Sequence, residues 1–172
     1  MSEAKKFNFI GQRTIRPDGH DKVTGKANYA ADLALPGMIW GKILRSPHAH
    51  AKILKLDTSK AEAMSGVMSV ATFDDLPSVS NEAIQSGEGA IDSLDLGRNV
   101  LARDKVLYHG HAIAAIAAKT VAIAEKALEL IDVEYEVLTP VLDLHAAMKA
   151  DAPLLHEDMF TQGYPEQPEK PS

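Results

Sequence analysis

The sequence predicts an α+β domain. Three observations carry that prediction: short segments in which apolar residues alternate with polar ones, a longer segment with apolar residues at helical spacing, and Gly, Pro and Ser punctuation in place of repeats or low-complexity blocks. The chain has 172 residues, 45% hydrophobic and 24% charged. That is an ordinary globular composition, and at this length one domain burying roughly two-thirds of its unfolded surface is expected.

The first apolar run, Met38, Ile39, Trp40, Ile43 and Leu44, follows the turn signal Pro36-Gly37 and reads as a strand. A second strand is expected over residues 51–57, after Ser46-Pro47. Ser59 with Glu62 three residues on fits a capping box, and Gly66 is placed to close the short helix it opens. Residues 67–71 read as another strand, and residues 77–99 as a long loop because apolar residues are sparse there. Residues 111–118 are small and apolar on both faces, as in a central buried strand that a helix can approach closely.

Thr120 is placed to cap the helix that follows, whose Val121, Ala124, Leu128 and Ile131 share one face while Glu125, Lys126 and Glu129 take the other. Residues 133–137 alternate strictly, which directs Val133, Tyr135 and Val137 inward and Glu134 and Glu136 outward. Strand, helix and strand make one βαβ unit, right-handed if both strands share a sheet. A last short helix is expected over residues 143–149. Trp40 and the six methionines read as core filler.

Charge and composition exclude several function classes. Eighteen Lys and Arg against twenty-four Asp and Glu leave a formal charge of -6, so the long-range attraction to phosphate backbones or anionic membranes is missing. No nucleic-acid or membrane partner is expected. With no cysteine, disulfides, thiolate nucleophiles and cysteine-ligated zinc or iron–sulfur centres are removed together. The start of the chain lacks the apolar stretch of a secretory signal and the longest apolar run is far too short to cross a bilayer, which predicts a cytoplasmic protein. Residues 160–172, with Pro165, Pro168 and Pro171, read as an extended linker of the kind found between domains.

Four histidines form two His-x-His pairs, His48 with His50 and His109 with His111. In a strand both rings of a pair would point to one side, as zinc or nickel chelation requires, but no further ligand stands at a diagnostic spacing. A structural role, with rings bonded to backbone carbonyls, is the favoured reading. Thr24-Gly25-Lys26-Ala27 fails as a P-loop end, since His20 stands where its first glycine belongs and Ala27 where its hydroxyl belongs. Asp74-Asp75 and Glu134/Glu136 read as solvated carboxylates, the first pair in a turn capped from Thr72, and no serine sits in a nucleophile elbow.

A longer set of residues has a more specific pattern: Arg16-Pro17-Asp18-Gly19, Asp21-Lys22-Val23-Thr24-Gly25-Lys26-Ala27-Asn28-Tyr29, Asp32, Leu35-Pro36-Gly37-Met38, and Leu44-Arg45-Ser46-Pro47-His48-Ala49-His50-Ala51-Lys52-Ile53. It continues through Asp57-Thr58-Ser59, Gly66-Val67, Leu101-Ala102-Arg103-Asp104-Lys105-Val106, Gly110-His111, Ala124-Glu125-Lys126-Ala127 and Val133-Glu134-Tyr135-Glu136-Val137-Leu138. This resembles the N-terminal a/b hammerhead domain of the molybdenum-binding large subunit in the xanthine dehydrogenase, aldehyde oxidase and carbon monoxide dehydrogenase family. The resemblance implies residues 1–15 as an N-terminal extension, 16–159 as the hammerhead domain and 160–172 as a linker toward a molybdopterin-binding domain. It implies an oxidoreductase whose molybdopterin-type cofactor, catalytic base and iron–sulfur clusters, with FAD in some members, sit in other domains or subunits.

The resemblance carries no catalytic, cofactor-binding or metal-binding residue onto this chain, and the chain alone is expected to be inactive. The expected partners are the C-terminal molybdopterin-binding domains of the same subunit and iron–sulfur and FAD subunits. One local role is implied: Leu94, Asp95 and Leu96 fall where family members line the substrate funnel. The alternative is a free-standing scaffold module that docks on partner subunits. In either case apolar patches, and dimers formed through them, are expected of the isolated domain.

Overall fold

A computed structural model of the chain describes residues 7–77, 83–86 and 89–157. They fall into two units, divided between Met38 and Ile39. In the first, α1 (Gly19–Val23) is a single helical turn. Asp18 precedes it and pairs with Arg16 at 2.5 Å and Lys22 at 2.7 Å, and these cations hold its carboxyl below the usual range. Thr24 donates its hydroxyl to the His20 carbonyl at 2.7 Å, and the backbone N–H groups of Lys26 and Ala27 both fold back onto the Asp21 carbonyl. That reversal passes through Gly25 at φ +71°, a conformation few side chains tolerate. A 3-10 turn over Ala30–Asp32 is closed by the Asp32 carboxylate, which accepts the Tyr29 N–H at 3.0 Å.

The second unit holds the sheets. β1 (Trp40–Arg45), β7 (Ala112–Ala118) and β3 (Val67–Ala71) form one sheet in that spatial order, with β7 central, as the apolar 111–118 run predicts. β6 (Lys105–Val106), β2 (Ala51–Asp57) and β8 (Asp132–Val137) form a second. All pairings are antiparallel. The βαβ order is present, but β7 and β8 lie in different sheets, so they make no parallel crossover pair. Sequence order fixes which elements follow one another; partner choice between strands is non-local, and β8 pairs with β2 some eighty positions earlier, Ile53 opposite Tyr135.

β7 serves two cores because alternate side chains leave opposite faces of a strand. Ala114, Ile116 and Ala118 join Ala61, Ala124, Ala127 and Ile131 in one buried cluster, whereas Ile113 joins Ala51, Ala102 and Val106 in the other. Leu44 and Leu56 pack against both. The first cluster is roofed by α4 (Val121–Leu128), which Thr120 caps by accepting the Ile123 N–H at 3.2 Å. α2 (Ser59–Glu62) lies beside it and ends with Ala63 as its C-cap, so Gly66 does not close it; Gly66 turns the chain into β3, with φ +94° and an added Cβ standing 2.7 Å from the Ile123 Cδ1.

Four further expectations are corrected. Ser59 lies inside α2, its N–H and hydroxyl both donating to Asp57 Oδ1, and Glu62 accepts from the Thr58 hydroxyl at 2.5 Å. The cap is thus Asp57's carboxylate, two residues upstream of the expected one. The 77–99 stretch carries a hairpin, β4 (Ala83–Ser86) with β5 (Gly89–Asp92), and then α3 (Ser93–Val100). Strands this short need few apolar residues, so the sparse apolar pattern of this stretch gave no strand signal. Val137 is 62% exposed, since it holds the last register position of β8, opposite Ala51 where β2 begins. Trp40 at 40%, Met68 at 56% and Met148 at 77% exposure are surface residues rather than filler, while Met64 does pack on the first core.

Two expected local features stand. The Asp75 carboxylate accepts the Thr72 N–H at 2.7 Å and its hydroxyl at 3.1 Å, capping the 3-10 turn Phe73–Asp75. α5 (Leu144–Ala147) is capped by Asp143, which accepts the Ala146 N–H at 2.9 Å.

Candidate functional site

The histidine pairs stand in the turns before β2 and β7, not within strands, so the same-side chelating geometry does not arise. Ser46 is buried in the first turn; its hydroxyl accepts the His48 N–H at 3.0 Å. Its backbone donates to the His111 carbonyl and accepts from the Gly110 N–H, each at 2.9 Å, and Arg45 adds a bond to the Gly110 carbonyl. The two turns are therefore clamped together. His50 Nδ1 lies 3.0 Å from the Thr139 carbonyl; a carbonyl only accepts, so Nδ1 carries the proton. Nε2 of the same ring is buried without a partner.

His111 is fully buried, and both its nitrogens are used: Nδ1 accepts the Leu107 N–H at 3.2 Å and Nε2 donates to the Arg98 carbonyl at 2.9 Å. The ring stacks on Tyr108 with centroids 4.4 Å apart. Burial holds its pKa below the usual imidazole value, against a smaller opposing pull from the Arg98 carbonyl. His48 sets its edge against Tyr135 at 4.9 Å, and burial raises the Tyr135 phenol's pKa despite an opposing bond with Ser46. His109 is exposed. Among the described residues no group of three or more His, Cys, Asp or Glu is placed to hold a metal.

A cleft of about 470 Å³ opens between β2, the β6 segment and residues 155–157. Lys52, Arg103 and Lys105 are on its wall, with Asp104 and Glu157 as the acidic members. Lys105 reaches Glu157 at 3.8 Å, Lys52 is paired with Glu136 on β8 at 3.2 Å, and Arg103 lies 5.2 Å over the Phe73 ring. Sequence reasoning did not single out this cleft; the alternating charges Arg103-Asp104-Lys105 beside a two-residue strand were its only local trace. Leu94, Asp95 and Leu96 lie in α3, not in a loop. Leu96 is 58% exposed; the side chains of Leu94 and Asp95 fall outside the described residues.

Two antiparallel sheets, a small-residue strand β7 whose faces serve separate cores, a short α4 roof and histidine-clamped turns make up this unit, and no metal-holding ligand set is assembled among its described residues. Residues 24–139 match the family model for the a/b hammerhead domain of aldehyde oxidase and xanthine dehydrogenase, and the chain belongs to that family.

It is 45% identical over 84% of its length to a subunit of a probable xanthine dehydrogenase from Bacillus subtilis, and 39% identical over 91% to the carbon monoxide dehydrogenase large chain of Afipia carboxidovorans. It spans 18% of the length of each relative. Among solved structures, a Cu,Mo-CO dehydrogenase superposes with a TM-score of 0.70 at 39% identity, over 84% of this chain and 17% of that one.

The described residues do not fit a molybdenum cofactor. His111 has no free nitrogen, the open nitrogen of His50 is sealed from solvent, and Asp104, His156 and Glu157 around the cleft are not grouped to hold a metal, Glu157 being paired with Lys105.

Proposed function

We propose that the chain is the N-terminal module, residues 16–159 with a preceding extension and a following linker, of the large subunit of a molybdenum-dependent oxidoreductase of the xanthine dehydrogenase, aldehyde oxidase or carbon monoxide dehydrogenase type. The observation that carries this reading is the match over most of the chain to less than a fifth of relatives named as such dehydrogenases. The chemistry belongs to the rest of the large polypeptide. This chain supplies shape: a rigid two-core platform with its turns locked by His50 and His111, and α3 as one wall of the substrate funnel. The molybdopterin-type cofactor is held by the following domains, with iron–sulfur and FAD groups in partner domains or subunits. No described helix is long and apolar enough to cross a membrane, and the proposed location is cytoplasmic.

The funnel role rests on Leu96, a large apolar side chain left in water on α3. In the complete enzyme, Leu94→Ala and Leu96→Ala should change relative kcat/KM across a panel of aldehydes, purines, N-heteroaromatics and carbon monoxide while the melting temperature stays put. A lowered melting temperature with unchanged substrate preference contradicts it. A gene in which reading continues past Ser172 into a cofactor-binding domain is required by the proposal; a stop codon followed by a separate subunit would favour a free-standing docking module instead.

A further inference from the structure

Residues 7–38 form a unit in which none is buried; Gly19, Ala27 and Met38 alone are half-covered. Their backbone is nonetheless specified by the Asp18 ion pairs, the Thr24 bond, the double closure on the Asp21 carbonyl and the Asp32 cap. Eight large apolar side chains lie between Phe7 and Leu35, among them Ile10 at 72%, Ile15 at 93% and Val23 at 85% exposure. Single exposed apolar residues are ordinary on a protein surface; a run of this kind beside a defined turn structure marks a surface that something covers.

Charge says what kind of surface. Arg13, Arg16, Lys22 and Lys26 are set against Asp18, Asp21 and Asp32, and Asp18 engages two of the four cations, so the segment lacks the basic excess an anionic lipid surface would need. A protein surface is the better fit. The match to the carbon monoxide dehydrogenase large chain covers 91% of this chain and so takes in most of the segment, while over four-fifths of that relative lies outside the match.

We propose that residues 7–38 are a docking arm whose apolar side chains seat on another domain of the same large subunit, one that lies beyond this chain. The proposal rests on the reading of the chain as a module of a longer subunit. Ile15 and Val23 are the anchors, being the most exposed apolar side chains of the arm.

Hydrogen exchange read by mass spectrometry on the complete large subunit tests it. Amides of residues 7–38 should be protected well beyond unprotected-peptide rates, and Ile15→Asp with Val23→Asp should abolish that protection while residues 39–137, the internal control for folding, exchange as before. Arm amides exchanging at unprotected rates in the wild-type subunit would overturn the proposal. So would protection that scales with protein concentration, which assigns the arm to a second copy, or protection that needs an added partner subunit. A gene with no downstream domain defeats the functional reading itself; a continuous, molybdenum-loaded subunit with an unprotected arm defeats only this inference.

Discussion

His111 is neutral because the Leu107 N–H occupies the lone pair that a second proton would need, in a site from which solvent is excluded. Its folded-state pKa is lowered from 6.5, so the unfolded chain takes up a proton first as pH falls, and stability is lost below about 6.5 and kept above it. Denaturant midpoints at about pH 7.5 and 5.5 should therefore differ in the wild type. His111→Gln should be less stable at the higher pH by about 1–3 kcal/mol, from unpaired buried backbone groups, and should show a flatter pH dependence. An equal slope in both proteins contradicts this account. Gly66 is the other residue with a single-position role: at φ +94° and facing Ile123, Gly66→Ala should cost about 1–2 kcal/mol by thermal or denaturant unfolding. The exposed ion pairs Lys42–Glu125 and Lys60–Asp132 are screened by solvent and should contribute little to stability.

At the scale of elements, α4 approaches β7 closely because Ala124 and Ala127 meet Ala114 and Ala118 in the first core. Enlarging that seam, as in Ala124→Leu, should destabilise by about 1–3 kcal/mol through overpacking, and Thr120→Ala by about 1 kcal/mol through loss of the cap, both measurable as shifts in denaturant midpoint without change in slope. These elements were legible from the residues because their signals are local: a cap, a period of 3.6, a small-residue run. β2 and β3 fall on the residues expected of them for the same reason. The β4–β5 hairpin and α3 were not legible, since their chain segment has little apolar pattern to read, and the separation of β7 from β8 depends on long-range pairing that no local window contains. Of the candidate site, the bonds of His50 and His111 to backbone carbonyls were readable from their positions at strand ends, whereas His48 and His109 make no such ring bond among the described contacts; the cleft was not readable, because β2, β6 and residues 155–157 meet only in the folded chain.

At the scale of the whole molecule, more than half of the buried apolar residues among those described are alanines, and Ile113 and Ile116 are the largest of these side chains buried completely. Each alanine removes little apolar area from water, so the cores supply a modest driving force for folding. The same module should unfold at a lower temperature as an isolated chain than within a complete large subunit, where neighbouring domains bind its folded form; equal melting temperatures would argue that no neighbour seats on it. A thin core and turns locked through Ser46, His50 and His111 fit the proposed platform role.

The most direct measurement is made on the purified 172-residue chain alone: molybdenum content by elemental analysis, together with turnover of aldehydes, purines and carbon monoxide under an artificial electron acceptor. Background metal and no turnover are expected. Stoichiometric, tightly held molybdenum, or oxidation of any of these substrates, would contradict the account.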